Sequence, residues 1–125
     1  EDPNIRNIQV ANFKKVMKDL DCKIPLVCVC GNHDVDNSPT SQTISRYVSE
    51  FGDDYFTFWT GGVCNIVLNS NTYYDPSKCE EHHNAQHAWL EDELKSAKAA
   101  NAQHIMIFCH HQTYFFQRKF YFFIN

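Results

Sequence analysis

The chain has 125 residues, of which 43% are hydrophobic and 21% charged, and its formal net charge is −4. This balance predicts one globular domain with its own core and excludes an intrinsically disordered chain. The negative charge argues against a surface that binds nucleic acid in general. Because no apolar run reaches the roughly 18 residues that would cross a membrane, we expect neither nucleic acid nor a membrane as a partner.

The start of the chain and its cysteines bear on the cellular compartment. Residue 1 is Glu, and the sequence does not show the charged start and following apolar stretch that are typical of a secretory signal. Four of the six cysteines lie inside apolar runs, where a free thiol behaves as a small buried hydrophobe; they are Cys28, Cys30, Cys64 and Cys109. They lack the spacing of a secreted disulfide framework. We therefore expect reduced thiols in a cytoplasmic protein.

The first third of the chain predicts a helix, a strand and a second helix. Apolar residues recur at helical spacing over residues 4–20. Residues 24–30 are apolar at almost every position, which predicts an interior parallel strand covered on both faces. A polar loop begins at Gly31, and either Thr40 or Ser41 is expected to cap the helix that follows.

The remaining expected elements are a hairpin of residues 55–60 and 63–69, a loop of 71–78, a helix of 79–100 and a buried strand of 105–109. The hairpin is indicated by Gly61-Gly62 between two β-rich runs. Ser77 is the expected cap of the long helix, and the residues expected to face inward on that helix are Ala85, Trp89, Leu90, Leu94 and Ala97. Strands interleaved with helices predict an α/β layered fold.

Polar side chains follow two of the predicted strands. The run of residues 24–30 leads into Gly31-Asn32-His33-Asp34, and the last strand leads into His110-His111. Because ligands bind beyond the carboxyl ends of strands in open α/β sheets, we expect both clusters at one edge of the sheet. The amide oxygen of Asn32 and the imidazole of His110 together suit a divalent transition metal.

The other residues of the tetrapeptide suit phosphoryl chemistry. His33 can donate a proton or a hydrogen bond to a phosphate oxygen. Asp34 beside it is expected to orient the ring and favour its protonated form. Gly31 is expected to let the backbone turn sharply, since it has no Cβ.

Two plainer interpretations compete with these hypotheses. The tetrapeptide by itself also fits an ordinary turn, because Asn and Asp bond their own backbone. The second strand that ends in His favours chemistry over that turn. Cys79, His83 and His87 have metal-like spacing on the long helix, but their polar neighbours favour an exposed helix face.

The Gly-Asn-His-Asp sequence after a hydrophobic strand resembles the motif of the calcineurin-like metallophosphoesterases, and His110 is similar to that family's later isolated metal-binding His. Further blocks extend the likeness over roughly residues 5 to 110; they are 24–34, 52–56, 58–59, 61–63, 67–70, 76–79, Gln86 and 89–90. The resemblance implies a four-layer α-β-β-α sandwich, here incomplete at both ends. Residues 1–112 would be the central part of that domain and 113–125 a divergent aromatic-rich tail.

The resemblance also implies a binuclear centre of two divalent ions (Mn, Fe, Zn or Mg) at which a metal-bound hydroxide attacks phosphorus. Asn32 and His110 would each ligate a metal, the same one in both cases. His33 would contact the phosphate and assist the leaving oxygen, with Asp34 holding it. The implied activity is that of a protein serine/threonine phosphatase, with a phosphoprotein as its partner.

The chain also departs from the family pattern. It lacks the family's Asp-x-His, Gly-Asp-x-x-Asp and Gly-His-x-His motifs, and Gln112 stands where the family tends to have Pro. Two ligands cannot hold two ions roughly 3.5–4 Å apart, so we expect the chain alone to bind metal weakly and to have little or no activity. A catalytically dead binding or regulatory module and a phosphoesterase for nucleotides stay open as alternatives.

Overall fold

The computed structural model of the chain describes residues 3–112. In chain order its elements are α1 (Pro3–Met17), α2 (Asn32–Val35), α3 (Ser41–Phe51), β1 (Phe56–Thr60), β2 (Val63–Val67), α4 (Asn71–Tyr74), α5 (Glu80–Ala99) and β3 (His104–Phe108). None of these helices has both the length and the hydrophobicity needed to cross a bilayer. The predicted aromatic-rich tail of residues 113–125 lies outside the described residues.

The three strands form one mixed sheet in the order β1-β2-β3. β1 and β2 pair antiparallel, and the turn between them has φ of 55° at Gly61 and 83° at Gly62, values that glycine adopts without steric cost. The predicted hairpin is therefore confirmed. β3 pairs with β2 in parallel, with Ile107 opposite Ile66. A parallel pair joined through the helix α5 confirms the α/β class.

One core lies between the sheet and α5. Alternate residues of β2 and of its extension, the residue Leu68 directly after the strand, face residues about one helical turn apart on α5. The buried members of this core are Cys64, Ile66, Leu68, Leu90, Leu94 and Ala97. The inward positions predicted at Leu90, Leu94 and Ala97 are thus confirmed. Ala85 is exposed instead, and Gln86 beside it is fully buried.

A second core packs α2 and α3 against residues from distant parts of the chain; its buried members are Cys30, Val35, Ile44, Tyr47 and Cys79. The Oγ1 of Thr40 accepts a hydrogen bond from the Thr43 N–H at 3.2 Å. Thr40, one of the two predicted caps, is therefore the N-cap of α3. The second core anchors the chain on both sides of Asn32.

The prediction of an interior strand at residues 24–30 is wrong for the described part of the chain. These residues pair with no strand of the described sheet, and Leu26 is 50% exposed. A strand needs a neighbouring edge to complete its hydrogen bonds, and within residues 3–112 no strand lies beside this run. β3 is also less buried than predicted, with Met106 49% exposed, because it lies at the edge of the sheet.

Short helical turns replace parts of the predicted loops. α2 lies within the polar loop after Gly31, and α4 opens the predicted loop of residues 71–78. A single turn is too short to show a hydrophobic period, so the sequence pattern did not reveal either one. Ser77 does not cap α5, because its N–H donates to Asp75 Oδ1 at 3.0 Å and the helix begins after Cys79.

All six cysteines are unpaired in the structure, as predicted. Burial raises the pKa of the Cys30 thiol strongly, and the nearby carboxylates of Asp54 and Asp34 raise it further. Burial also raises the pKa of Cys109. Protonated, buried thiols are poor nucleophiles, which agrees with a packing role.

Replacing Leu90 by Ala tests the core between the sheet and α5. Leu90 is fully buried, so we expect the free energy of unfolding to fall by about 2–5 kcal/mol, measured by urea denaturation. Leu26→Ala makes the same truncation at an exposed position and should change the free energy of unfolding by no more than about 0.5 kcal/mol. Equal losses in the two variants would contradict this assignment of the core.

Candidate metal centre

The loop that carries Asn32 is fixed by hydrogen bonds and by packing. The Gly31 N–H donates to Asp34 Oδ2 at 2.8 Å, and the Gly31 carbonyl accepts from the Asp34 N–H at 2.9 Å. Cys30 before the loop and Val35 after it are both fully buried. Asn32 therefore projects, half-buried, from a short helical turn that is anchored at both ends.

His110 reaches the same place from the end of β3. The pairing of β2 with β3 continues one step beyond the strands, because the Leu68 N–H donates to the Phe108 carbonyl at 2.9 Å. His110 Nε2 then lies 3.0 Å from Asn32 Oδ1, although the two residues are 78 positions apart in the chain. The two side chains thus meet as the sequence predicts, even though residues 24–30 are not a paired strand. Their role as metal ligands stays a prediction.

Gly31 leaves space for the His110 ring rather than allowing a sharp turn. Its φ of −105° and ψ of 175° are extended values that any residue adopts, so the conformational reason expected from the sequence is wrong. A Cβ placed on Gly31 would lie 3.2 Å from both Cε1 and Nδ1 of His110. The imidazole ring packs directly on the glycine, and that contact brings it to Asn32.

Asn37 orients the Asn32 amide. The Nδ2 of Asn32 donates to Asn37 Oδ1 at 2.9 Å. Because the amide carries its nitrogen and oxygen on opposite sides, this bond turns Oδ1 toward His110. Sequence reasoning placed Asn37 in a polar loop without giving it a role. The sequence feature that could have indicated this role is the second amide, Asn37, five positions after Asn32.

The spacing of the two side chains fits a shared cation. Two ligand bonds of about 2.1 Å at a right angle place the ligand atoms about 3.0 Å apart, which is the distance between Asn32 Oδ1 and His110 Nε2. Among residues 3–112, no group of three or more His, Cys, Asp or Glu side chains is placed to hold a metal ion. The candidate site therefore consists of one amide and one imidazole from the described part of the chain.

Asp34 has different partners from those predicted. Its Oδ1 pairs with the Arg6 guanidinium of α1, and its Oδ2 accepts the Gly31 N–H. The exposed ring of His33 has no hydrogen bond to Asp34 in the structure. Successive residues of a helical turn point in directions about 100° apart, so the Asp34 carboxylate and the His33 ring face different ways. The predicted orienting of His33 by Asp34 is therefore wrong, and Asp34 instead ties α1 to the loop.

The alternative metal set on α5 does not assemble. Cys79 is buried in the second core, whereas the rings of His83 and His87 pack against Tyr73 with centroids 4.8 and 6.1 Å away. The thiol and the two imidazoles thus serve separate packing contacts.

Sequence reasoning also missed Ser70 and Asn71. Ser70 Oγ accepts the His111 N–H at 3.0 Å, and Asn71 Nδ2 lies 3.4 Å from the Cys30 carbonyl oxygen. Burial lowers the pKa of His111, and the neighbouring His110 lowers it further. The available signal was a polar segment directly after a predicted strand, the same feature that pointed to Asn32 and His110.

Comparison with known proteins gives a consistent result. Over 105 residues, or 84% of the chain, the sequence is 46% identical to the serine/threonine-protein phosphatase CPPED1 of Pongo abelii and 45% identical to that of Homo sapiens. A weaker match, 27% identical over 90 residues, covers 64% of the chain and 16% of purple acid phosphatase 15 of Arabidopsis thaliana. No protein-family model and no solved structure matches the chain.

These relatives are phosphatases, and they confirm the resemblance to the calcineurin-like metallophosphoesterases that the motif around Asn32 indicates. Within that class, the chain belongs to the family of the CPPED1 serine/threonine-protein phosphatases, to which it is homologous over most of its length. The chain spans about one third of these curated relatives, 33% of each.

Replacing Gly31 by Ala tests the contact with His110. A Cβ 3.2 Å from the His110 ring is too close, so the ring must shift by a few tenths of an ångström. We therefore expect His110 to move away from Asn32. The measurement is the position of the ring in a crystal structure of the variant. Gly52→Ala is the control, because Gly52 has φ of 92° and an added Cβ would have nothing within 4 Å; it should strain the backbone while leaving His110 in place. An unmoved ring in the Gly31 variant would contradict the steric role.

Replacing Ser38 by Ala tests the link between the site loop and the segment after α4. Hydrogen bonds from Ser38 first, and then from Ser77, lower the pKa of Asp75 from 3.8 to about 2. Because this pKa is depressed in the folded state, the stabilisation is present above pH 3.8 and is lost as the pH falls through about 2. Carboxyl-carbon NMR titration should show the pKa rising toward 3.8 in Ser38→Ala. The exposed Ser96→Ala should leave it unchanged, and an unchanged pKa in both variants would refute the link.

Proposed function

We propose that the chain carries part of the active site of a protein serine/threonine phosphatase that hydrolyses phosphomonoesters at a binuclear metal centre. The observation that carries this proposal is the convergence of Asn32 Oδ1 and His110 Nε2 to 3.0 Å. Relatives 46% and 45% identical to the chain are named serine/threonine-protein phosphatases, which supports phosphoserine or phosphothreonine in a protein as the substrate.

Each residue of the candidate site has a distinct role in this proposal. Asn32 and His110 would hold one of two divalent ions, with Mn, Fe, Zn and Mg as the candidates. When bound, the ions supply positive charge opposite the phosphoryl oxygens. The exposed His33 would contact the phosphate and protonate the leaving oxygen. Asp34 would act through the backbone, because it holds the Gly31 N–H and the Arg6 guanidinium.

The proposal extends to the setting of the site. Residues 1–112 would form the central part of a four-layer α-β-β-α domain, with residues 113–125 outside it, and the protein would be cytoplasmic with a phosphoprotein as its partner. The 125-residue chain by itself would hydrolyse little, because two ligands cannot hold two ions about 3.5–4 Å apart.

The test restores the rest of the domain. In the human relative, the segment that aligns with this chain is replaced by the corresponding residues of this chain. The resulting chimera is assayed with Mn²⁺ on a phosphoserine peptide. We expect hydrolysis, and we expect His33→Ala to lower kcat/KM by roughly 10²–10⁴, because proton transfer to the leaving oxygen is lost. Asn32→Ala and His110→Ala should weaken Mn²⁺ activation.

His104→Ala is the matched control, since His104 is an exposed histidine at the start of β3. It should leave both kcat/KM and Mn²⁺ activation unchanged. Equal kcat/KM values for the chimera and its His33→Ala variant would show that His33 has no role in catalysis. A chimera that hydrolyses a nucleotide but not the peptide would favour the nucleotide alternative, and a folded but inactive chimera would favour a binding module.

A further inference from the structure

We propose that Ser70 and Asn71 are positioning residues that hold the Asn32 and His110 loops at the distance a shared metal ion requires. Residues 69–71 are called the bridging turn below. The proposal rests on the proposed function, because it takes Asn32 and His110 as metal ligands. It adds two side chains that act through the backbone, Asn71 at the Cys30 carbonyl and Ser70 at the His111 N–H.

The sheet determines where the bridging turn lies. The turn follows the extension of β2, and His110 follows the end of β3. Because β2 and β3 run parallel in register, with Val67 opposite Phe108, both segments leave the sheet at the same edge. The bridging turn therefore lies beside the residues that follow β3.

Ser70 holds the His110 side of the site. Its Oγ accepts the His111 N–H at 3.0 Å and also lies 3.0 Å from His111 Nδ1. Ser70 is only 2% exposed, so water has little access to these bonds from the Ser70 side. Two bonds to the residue next to His110 fix the backbone from which the His110 ring projects.

Asn71 holds the Asn32 side of the site. It is fully buried, and its Nδ2 donates to the Cys30 carbonyl at 3.4 Å and to Asn69 Oδ1 at 3.0 Å. Cys30 is followed by Gly31, on which the His110 ring packs. Adjacent residues of one turn therefore bind the chain just before Asn32 and just after His110.

The bridging turn is itself held rigidly. Gln86 of α5 accepts the Asn69 N–H at 2.8 Å and donates to the Asn69 carbonyl at 3.2 Å. The Asn69 Nδ2 donates to Asp54 Oδ2 at 2.8 Å, and His82 Nε2 lies 2.8 Å from the same oxygen. The buried groups around Asn69 are paired with one another, and such paired groups specify one arrangement. The turn can thus transmit a fixed geometry to both loops.

The unsatisfied carbonyl of Asn71 supports a positioning role over a purely stabilising one. Its Oδ1 is buried and has no hydrogen-bond partner among the described residues. A buried acceptor without a partner reduces stability, and an apolar side chain of similar shape would avoid that loss. What an apolar side chain cannot supply is the bond from Nδ2 to the Cys30 carbonyl.

The test measures geometry and metal affinity separately in the 125-residue chain. The geometric readout is the NOE between His110 Hε1 and Gly31 Hα in metal-free protein. The affinity readout is titration with Zn²⁺, followed by the His110 ring resonances. We expect Ser70→Ala and Asn71→Ser to weaken or abolish the NOE and to reduce Zn²⁺ affinity roughly 10–100-fold, the usual effect of removing groups that orient metal ligands.

Matched controls separate positioning from general destabilisation. Ser96→Ala removes an exposed hydroxyl of α5. Asn65→Ser truncates another buried amide, whose Nδ2 donates to the Phe58 and Val63 carbonyls at 3.3 and 3.2 Å within the hairpin. Asn65→Ser should lower the melting temperature as Asn71→Ser does, but it should leave the NOE and the Zn²⁺ affinity unchanged.

The outcomes are distinct. Variants of Ser70 and Asn71 that keep both the NOE and the affinity would overturn the proposal, as would controls that lose both. A wild-type chain without the NOE would also overturn it. If the wild-type chain shows the NOE but its His110 resonances do not respond to Zn²⁺, the proposed metal role of His110 fails, and its positioning is then decided by the NOE in the variants.

Discussion

The parallel pairing of β2 with β3 is the constraint on which the candidate site depends. Because parallel strands send their carboxyl ends to one edge of a sheet, the segments after Leu68 and after Phe108 leave the sheet side by side. His110 is thereby carried to the loop of Asn32. An antiparallel β3 would place His110 at the opposite edge, and the two side chains would not meet.

Apolar and polar contacts contribute differently to this arrangement. The apolar core between the sheet and α5 supplies burial, which stabilises without fixing directions. At the edge of the same sheet, hydrogen bonds that Asn69 donates to Gln86 and Asp54 fix directions. α5 contributes to both sets, since Gln86 lies one turn before Leu90 on the same buried face. The helix that covers the sheet thus also stiffens the end of β2.

The sequence predicted the features that depend on local pattern. The Gly61-Gly62 turn, the Thr40 cap and the inward face of α5 each follow from a few neighbouring residues. The apolar run of residues 24–30 was misjudged, because hydrophobicity reports a tendency to be buried and does not identify the partner that buries it. The reasons for Gly31 and Asp34 were also misjudged, since they depend on contacts that no periodicity reveals. Gly31 lies against the ring of the distant His110, and Asp34 pairs with Arg6 of α1.

The separation of 78 residues between Asn32 and His110 has a consequence for biosynthesis. At roughly 5–20 residues per second, a ribosome would need on the order of 4 to 16 s to extend the chain from one residue to the other. During that interval the nascent chain exposes the amide without its imidazole partner. Contacts so distant in sequence form late in folding, so the pair comes into being only once β3 has docked.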